Sequence, residues 1–199
     1  MSLPPPNALL LAGGRSRRMS CDKATLVYEG KTQIERTTDL LQQFCPSIYL
    51  SLRQGQPFPS QKCNLPVIED AFGEIGPLGG ILSAFAKHPK EAWLVVACDL
   101  PLLSENTLRY LLQERDVNRI ATAYRSTSDN LPEPLCAVYE PHAFSQMQRF
   151  HQKQKIRCPR KILMQAEPKL LDPVDPHALD NVNTPEEYKK AVTNLVAET

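Results

Sequence analysis

Short apolar runs alternate along this chain with segments whose apolar side chains recur every three or four positions, which predicts alternating strands and helices. Residues 8–11, 48–52, 65–69, 93–98, 120–124 and 135–139 read as strands. The run Trp93-Leu-Val-Val-Ala-Cys98 is apolar throughout rather than alternating, as suits a parallel strand buried on both faces. Over 33–44, Ile34, Thr37, Leu40, Leu41 and Phe44 lie near one helical face, and 81–88 reads as a second helix. Ser104 is placed to N-cap a helix bearing Leu108, Leu111 and Leu112. A short helix over 142–150 carries Ala143, Phe144, Met147 and Phe150. The last helix has the clearest start: Thr184 as N-cap, Pro185 at the first helical position and Glu187 closing a capping box. Tyr188, Ala191, Val192 and Leu195 then form its apolar face.

Repeated strand–helix units favour a single doubly wound, mostly parallel α/β sheet over an all-helical bundle or a β-sandwich. A length of 199 residues suits one domain with a sizeable core, so 1–199 is expected to form one unit, with 1–6 as a flexible N-terminal segment.

The segment Leu11-Ala-Gly-Gly-Arg-Ser-Arg-Arg-Met-Ser-Cys-Asp-Lys23 follows the first strand. Open α/β sheets bind ligands there, in the crevice beyond the carboxyl ends of their strands. Gly13 and Gly14 let the backbone turn sharply and approach a ligand closely. Arg15, Arg17, Arg18 and Lys23 can meet anionic oxygens, Arg through a planar fork and Lys as a point charge. The combination reads as a phosphate site; the competing reading is a tight bend with solvated cations. Neither GxGxxG nor GxxxxGK[ST] is present, so neither of the two best-known phosphate loops applies.

Charge narrows the partners. Twenty-three basic and 22 acidic side chains leave a formal charge of +1, which argues against broad electrostatic binding of nucleic acid or an anionic membrane. The N-terminus has neither a cationic leader region nor the roughly 20 apolar residues a bilayer span needs. Six dispersed cysteines without a CxxC pair, and four histidines, disfavour a disulfide framework or a structural zinc site. A reducing cytoplasm is the expected setting.

Asp99, directly after the strongest strand, is placed to ligate Mg²⁺ at the sheet top, where substrate phosphates and waters complete the shell. It can equally accept turn N–H bonds near Pro101. Gly76-Pro-Leu-Gly-Gly80 can bring backbone close to the same cleft or serve as a packing turn. Asn181 and Asn183 can bind a polar acceptor, hold a loop or join a metal shell.

Taken together, these segments resemble the nucleotidyltransferases that attach a nucleoside monophosphate to a phosphorylated acceptor, and especially the molybdenum cofactor guanylyltransferases. The glycine- and arginine-rich segment matches that family's Leu-Ala-Gly-Gly-x-Ser-x-Arg-Met-Gly-x-Asp-Lys signature. Gly76–Gly80, Ala97-Cys-Asp-Leu-Pro101, Pro134-Leu-Cys-Ala-Val-Tyr139 and Asn181-Val-Asn-Thr-Pro-Glu-Glu187 also resemble it, in the expected order. The resemblance implies a Rossmann-like domain in which Gly13, Gly14, Arg18 and Lys23 hold the nucleotide and its triphosphate. It implies that Leu11 and Ala12 present backbone atoms to the base, that Asp70 lies near the nucleotide, and that Asp99 is the principal Mg²⁺ ligand. Asn181 and Asn183 would lie toward the pterin-phosphate acceptor. Gly14 accompanies guanine-using members, which points to GTP rather than CTP.

The implied reaction is Mg²⁺-dependent transfer of GMP to the terminal phosphate of molybdopterin or molybdenum-molybdopterin, with molybdoenzyme maturation proteins as further partners. Arg18, Lys23 and Asp99 would carry the catalysis. The alternatives are a related cytidylyltransferase, a sugar-phosphate nucleotidyltransferase, or a non-catalytic nucleotide or cofactor binder. One residue departs from the signature: Ser20 stands where the family usually has Gly. A positive φ there would carry a steric cost for Ser, altering the loop path or the acceptor preference.

Overall fold

The computed structural model describes residues 3–12, 23–59 and 64–197. Strand β1 is Asn7–Leu11; a two-strand hairpin of β2 (Val27–Tyr28) and β3 (Lys31–Thr32) leads into helix α1 (Gln33–Leu41). Next come β4 (Ile48–Leu52), β5 (Val67–Glu69), α2 (Pro77–Lys87), β6 (Trp93–Ala97) and α3 (Glu105–Gln113). The remainder is β7 (Ala121–Arg125), β8 (Pro132–Tyr139), α4 (Ala143–Gln154), α5 (Pro159–Ala166), β9 (Lys169–Leu171) and α6 (Pro185–Ala197).

Seven of the strands make one sheet in the order β5-β4-β1-β6-β8-β7-β9. Only β8 runs against the others, pairing antiparallel with both β6 and β7. The mostly parallel sheet expected from the alternation of elements is therefore present, and helices cover both of its faces. On one face, Ala8 and Leu10 of β1 and Leu94 and Val96 of β6 pack with Ile34 and Leu41 of α1 and Leu108 and Leu111 of α3. On the other, Leu9, Trp93 and Val95 meet Leu78, Ile81 and Phe85 of α2, Met147 of α4 and Ile162 of α5. Every residue of β6 is buried, because the central strand is covered on both sides.

Most local signals have the expected outcome. Ser104 accepts the Thr107 N–H at 3.2 Å and starts α3. The Thr184 and Glu187 caps are reciprocal: Glu187 N–H donates to Thr184 Oγ1 at 3.2 Å, and Thr184 N–H donates to Glu187 Oε2 at 3.0 Å. Helix α1 stops at Leu41 rather than Phe44. Phe44 N–H and Cys45 N–H both turn back to the Leu41 carbonyl at 3.0 Å, and Cys45 precedes Pro46, which disfavours a helical conformation. Phe44 still packs against the core. Helix α2 starts at Pro77, four positions before the expected Ile81, with proline in its first turn and Gly76 as N-cap. Helix α5 and strand β9 were unanticipated from the apolar pattern; α5 packs Ile162 and Leu163 on the sheet, and β9 extends it beyond β7. At the N-terminus, Pro6 is buried and the Pro4 carbonyl accepts a bond from Arg115 at 2.7 Å. No helix of the described residues is long and apolar enough to cross a membrane.

Candidate functional site

Strands β1, β4, β5 and β6 run parallel, so they all end at one edge of the sheet. Beyond that edge the chain is tied together by main-chain bonds between segments far apart in sequence. Ala12 N–H donates to the Ser51 carbonyl at 3.2 Å, and Cys98 N–H donates to the Leu11 carbonyl at 3.2 Å. Asp70 N–H donates to the Leu52 carbonyl at 2.9 Å. Leu11, Ala12, Asp70 and Asp99 therefore share one rim of the sheet although almost ninety residues separate the first from the last.

Asp99 lies two residues past β6 and is half-buried. Its carbonyl accepts the Val182 N–H at 3.0 Å, which brings the Asn181-Val-Asn183 segment to the same strand exit. Val182 is 3% exposed and anchors that segment in a small apolar cluster with Tyr28 and Ala191. Asn181 is exposed and Asn183 half-buried on either side of it. Asn183 N–H also donates to Glu187 Oε2 at 2.6 Å, so the segment is fixed at both ends, by the sheet rim and by the start of α6. The Leu100 carbonyl accepts from Gln33 Nε2 at 3.2 Å. Gln33 is 3% exposed at the start of α1, and its Oε1 is buried without a partner among the described residues. Successive peptides around Asp99 are thus held by β1, α1 and the segment before α6.

Asp70 follows β5, and its Oδ1 accepts the Phe72 N–H at 2.9 Å. Burial pushes its carboxyl above the ordinary aspartate value, and the Phe72 bond offsets part of that rise. The first turn of α2 comes very close to it: a Cβ on Gly79 would stand 2.2 Å from Asp70 Oδ2. One on Gly80 would stand 2.3 Å from Ser51 Oγ. The glycines of the Gly76–Gly80 segment thus bring α2 against β4 and the β5 exit. Ser83, one turn further on, donates to the Gly79 carbonyl at 2.8 Å and accepts the Ala71 N–H at 2.8 Å, locking helix to loop.

Gly13, Gly14, Arg18 and Ser20 lie outside the described residues, as does the Lys23 side chain. The chain re-enters at a short 3₁₀ turn, Lys23–Thr25. Sequence reasoning missed Gln33, Ser83 and Gln56, whose Nε2 donates to the Ala12 carbonyl at 2.9 Å. A lone glutamine or serine without a motif around it carries no spacing signal, and only the tertiary contacts give these side chains a place at the rim.

The sheet order, the shared strand exits and the two acidic residues at the rim define a doubly wound α/β protein with its ligand crevice beyond β1 and β6. A MobA-like NTP transferase domain matches residues 8–169, and the chain belongs to that nucleotidyltransferase family. It is 36% identical over 190 residues to a molybdenum cofactor biosynthesis bifunctional protein of Synechocystis sp., covering 94% of this chain and 54% of that protein. The chain thus spans about half the length of that relative. It is 29% identical over 209 residues to a probable molybdenum cofactor guanylyltransferase of Methanosarcina acetivorans, covering 96% of this chain and 91% of that one. The fold is also that of the crystal structure of molybdopterin-guanine dinucleotide biosynthesis protein A from Archaeoglobus fulgidus. The TM-score is 0.74 at 22% identity, over 97% of this chain and 100% of that one.

Proposed function

We propose that this chain transfers GMP from GTP to the terminal phosphate of molybdopterin or molybdenum-molybdopterin, releasing pyrophosphate and forming a guanine dinucleotide cofactor. The observation that carries the reading is the Val182 N–H bond to the Asp99 carbonyl, which brings the Asn181–Asn183 segment, assigned here to the acceptor, to the exit of β6. Relatives named for molybdenum cofactor guanylyl transfer and biosynthesis support the choice of substrates.

The acceptor phosphate is ionised at neutral pH, so its oxygen attacks the α-phosphorus of GTP without a serine or cysteine nucleophile. One P–O bond forms, the α–β bridge breaks, and its electron pair leaves with pyrophosphate. The protein's task is then to align the two substrates and to stabilise negative charge as it grows. Arg18 and Lys23 are assigned to the triphosphate and the departing pyrophosphate, with Gly13 and Gly14 admitting the phosphates to the backbone. Leu11 and Ala12 take the base, Asp70 the nucleotide's flank, and Asn181 and Asn183 the acceptor.

Asp99 suits Mg²⁺: it is a half-buried residue at a strand exit, and its carboxylate is a hard oxygen donor. Mg²⁺ takes one or two protein carboxylates and draws its other ligands from phosphates and water. Bound there, the ion would supply charge neutralisation at the phosphate oxygens. A cytoplasmic setting and hand-over to molybdoenzyme maturation proteins complete the reading.

The test is pyrophosphate release by purified protein with Mg²⁺, comparing GTP and CTP with and without molybdopterin. Release that needs molybdopterin and favours GTP is expected. Equal release without the acceptor, or none with either nucleotide, would overturn it.

A further inference from the structure

Gln56 sits on the loop after β4, and its Nε2 reaches back 44 residues to donate to the Ala12 carbonyl at 2.9 Å. The amide is oriented from its other side: Arg53 N–H and Arg53 Nε both donate to Gln56 Oε1 at 3.3 Å. Gln56 N–H in turn donates to the Arg53 carbonyl at 3.0 Å, closing a tight turn. The oxygen of the Gln56 amide therefore faces Arg53, and its nitrogen faces the exit of β1.

Ala12 is the first residue past β1, and its own N–H is committed to Ser51. Its carbonyl oxygen has two lone pairs, and Gln56 engages one of them. A nucleobase that donates to the other must bring its neighbouring edge atoms within reach of Gln56 Nε2, which carries a second N–H. The rim thus presents an acceptor and a donor side by side.

Guanine's edge runs from the O6 acceptor to the N1–H and N2–H₂ donors. Its N1–H fits the Ala12 carbonyl while its O6 fits the Gln56 N–H. Cytosine's edge runs in the opposite order, with an N4–H₂ donor followed by two acceptors. With ribose and phosphates held in the same direction, cytosine would set like against like.

We infer that Gln56 is a specificity-determining residue that reads the edge of the donor nucleobase together with the Ala12 carbonyl, selecting guanine over cytosine. The inference rests on the nucleotidyl-transfer reading, which puts the donor base at the β1 exit. It adds to that reading a side chain from the loop after β4.

The experiment is equilibrium titration of GTP and CTP with Mg²⁺ and no acceptor, for the parent, Gln56→Ala and Gln56→Glu. Gln56→Ala is expected to weaken GTP about fivefold or more, the size of one hydrogen bond, while CTP binding holds or tightens because the N–H opposing cytosine's amino group is gone. Gln56→Glu sets a carboxylate against both the Ala12 carbonyl and guanine O6, so it is expected to weaken GTP at least as much as Gln56→Ala. If Gln56→Ala melts below the parent, Gln56→Met, which keeps the side-chain length, replaces it in the comparison. A parent that binds GTP with the same GTP-to-CTP ratio as the variants overturns the inference alone. A parent that binds neither nucleotide overturns the nucleotide reading and the inference with it.

Discussion

Val182 donates its N–H to the Asp99 carbonyl at 3.0 Å, fastening the segment before the last helix to the exit of the central strand. The bond uses main-chain atoms only, so it does not depend on the Asp99 carboxylate. Structure and site can therefore be separated at this position by changing the side chain.

Asp99→Asn should fold and melt like the parent, since the Val182 bond survives. Its Mg²⁺-dependent pyrophosphate release should fall by about a hundredfold or more, the scale of losing a principal electrostatic contact in a reacting site. Thermal melting and a metal titration of turnover check the two halves. Equal turnover at every Mg²⁺ concentration would remove Asp99 from the site.

Gly79→Ala tests the contact between α2 and Asp70. The added methyl would fall 2.2 Å from Asp70 Oδ2, so helix or carboxylate must move. A loss of about 1–3 kcal/mol in unfolding free energy is expected, as for other overpacked positions. Urea denaturation measures it, and a parallel GTP titration should show weaker binding because Asp70 is displaced. Unchanged stability would mean that the loop after β5 yields freely.

The Asp70 carboxyl has a defined pH signature. Burial raises its folded-state pKa above the ordinary value of 3.8, so across that window the folded protein holds more protons than the unfolded chain. Unfolding free energy from this group is therefore highest below the window and falls as pH rises through it. Asp70→Asn lacks the titration. Urea unfolding of both proteins at about pH 3.5 and about pH 7 should show the parent losing stability relative to the variant as pH rises. A constant difference would show that the carboxyl feels no net desolvation.

Arg115 and Glu140 form a buried bidentate pair, with Nε to Oε1 at 2.6 Å and a second nitrogen to Oε2 at 2.9 Å. Their side chains are 6% and 4% exposed. Removing only the cation by Arg115→Ala strands a buried carboxylate and should cost about 3–5 kcal/mol. The double variant with Glu140→Ala should recover part of that loss in a denaturation cycle. Strictly additive losses would show the two side chains to be energetically independent.

Local chemistry made much of this fold legible in advance. The caps at Ser104 and Thr184 are written in three or four adjacent residues, and the apolar run from Trp93 reports a strand buried on both faces. Strand β9 was not legible, because three residues, Lys-Leu-Leu, carry no periodicity and pair only once β7 is in place. The early start of α2 was hidden for a related reason: its first turn, Pro-Leu-Gly-Gly, holds two glycines and a proline, poor helix formers in isolation, and the glycines are needed for the approach to β4 and Asp70.

The candidate site divides along the same line. Residue order alone tells which chemistry is present: cations and glycines after the first strand, a carboxylate after the central one, and asparagines before a capped helix. Those are properties of residue type and short spacing. That Leu11 meets Cys98, that Asp99 meets Val182, and that Gln33 and Gln56 reach the same rim follow from the packed fold. Such contacts join segments tens of residues or more apart, and they follow from strand order and helix placement, which the whole core sets at once.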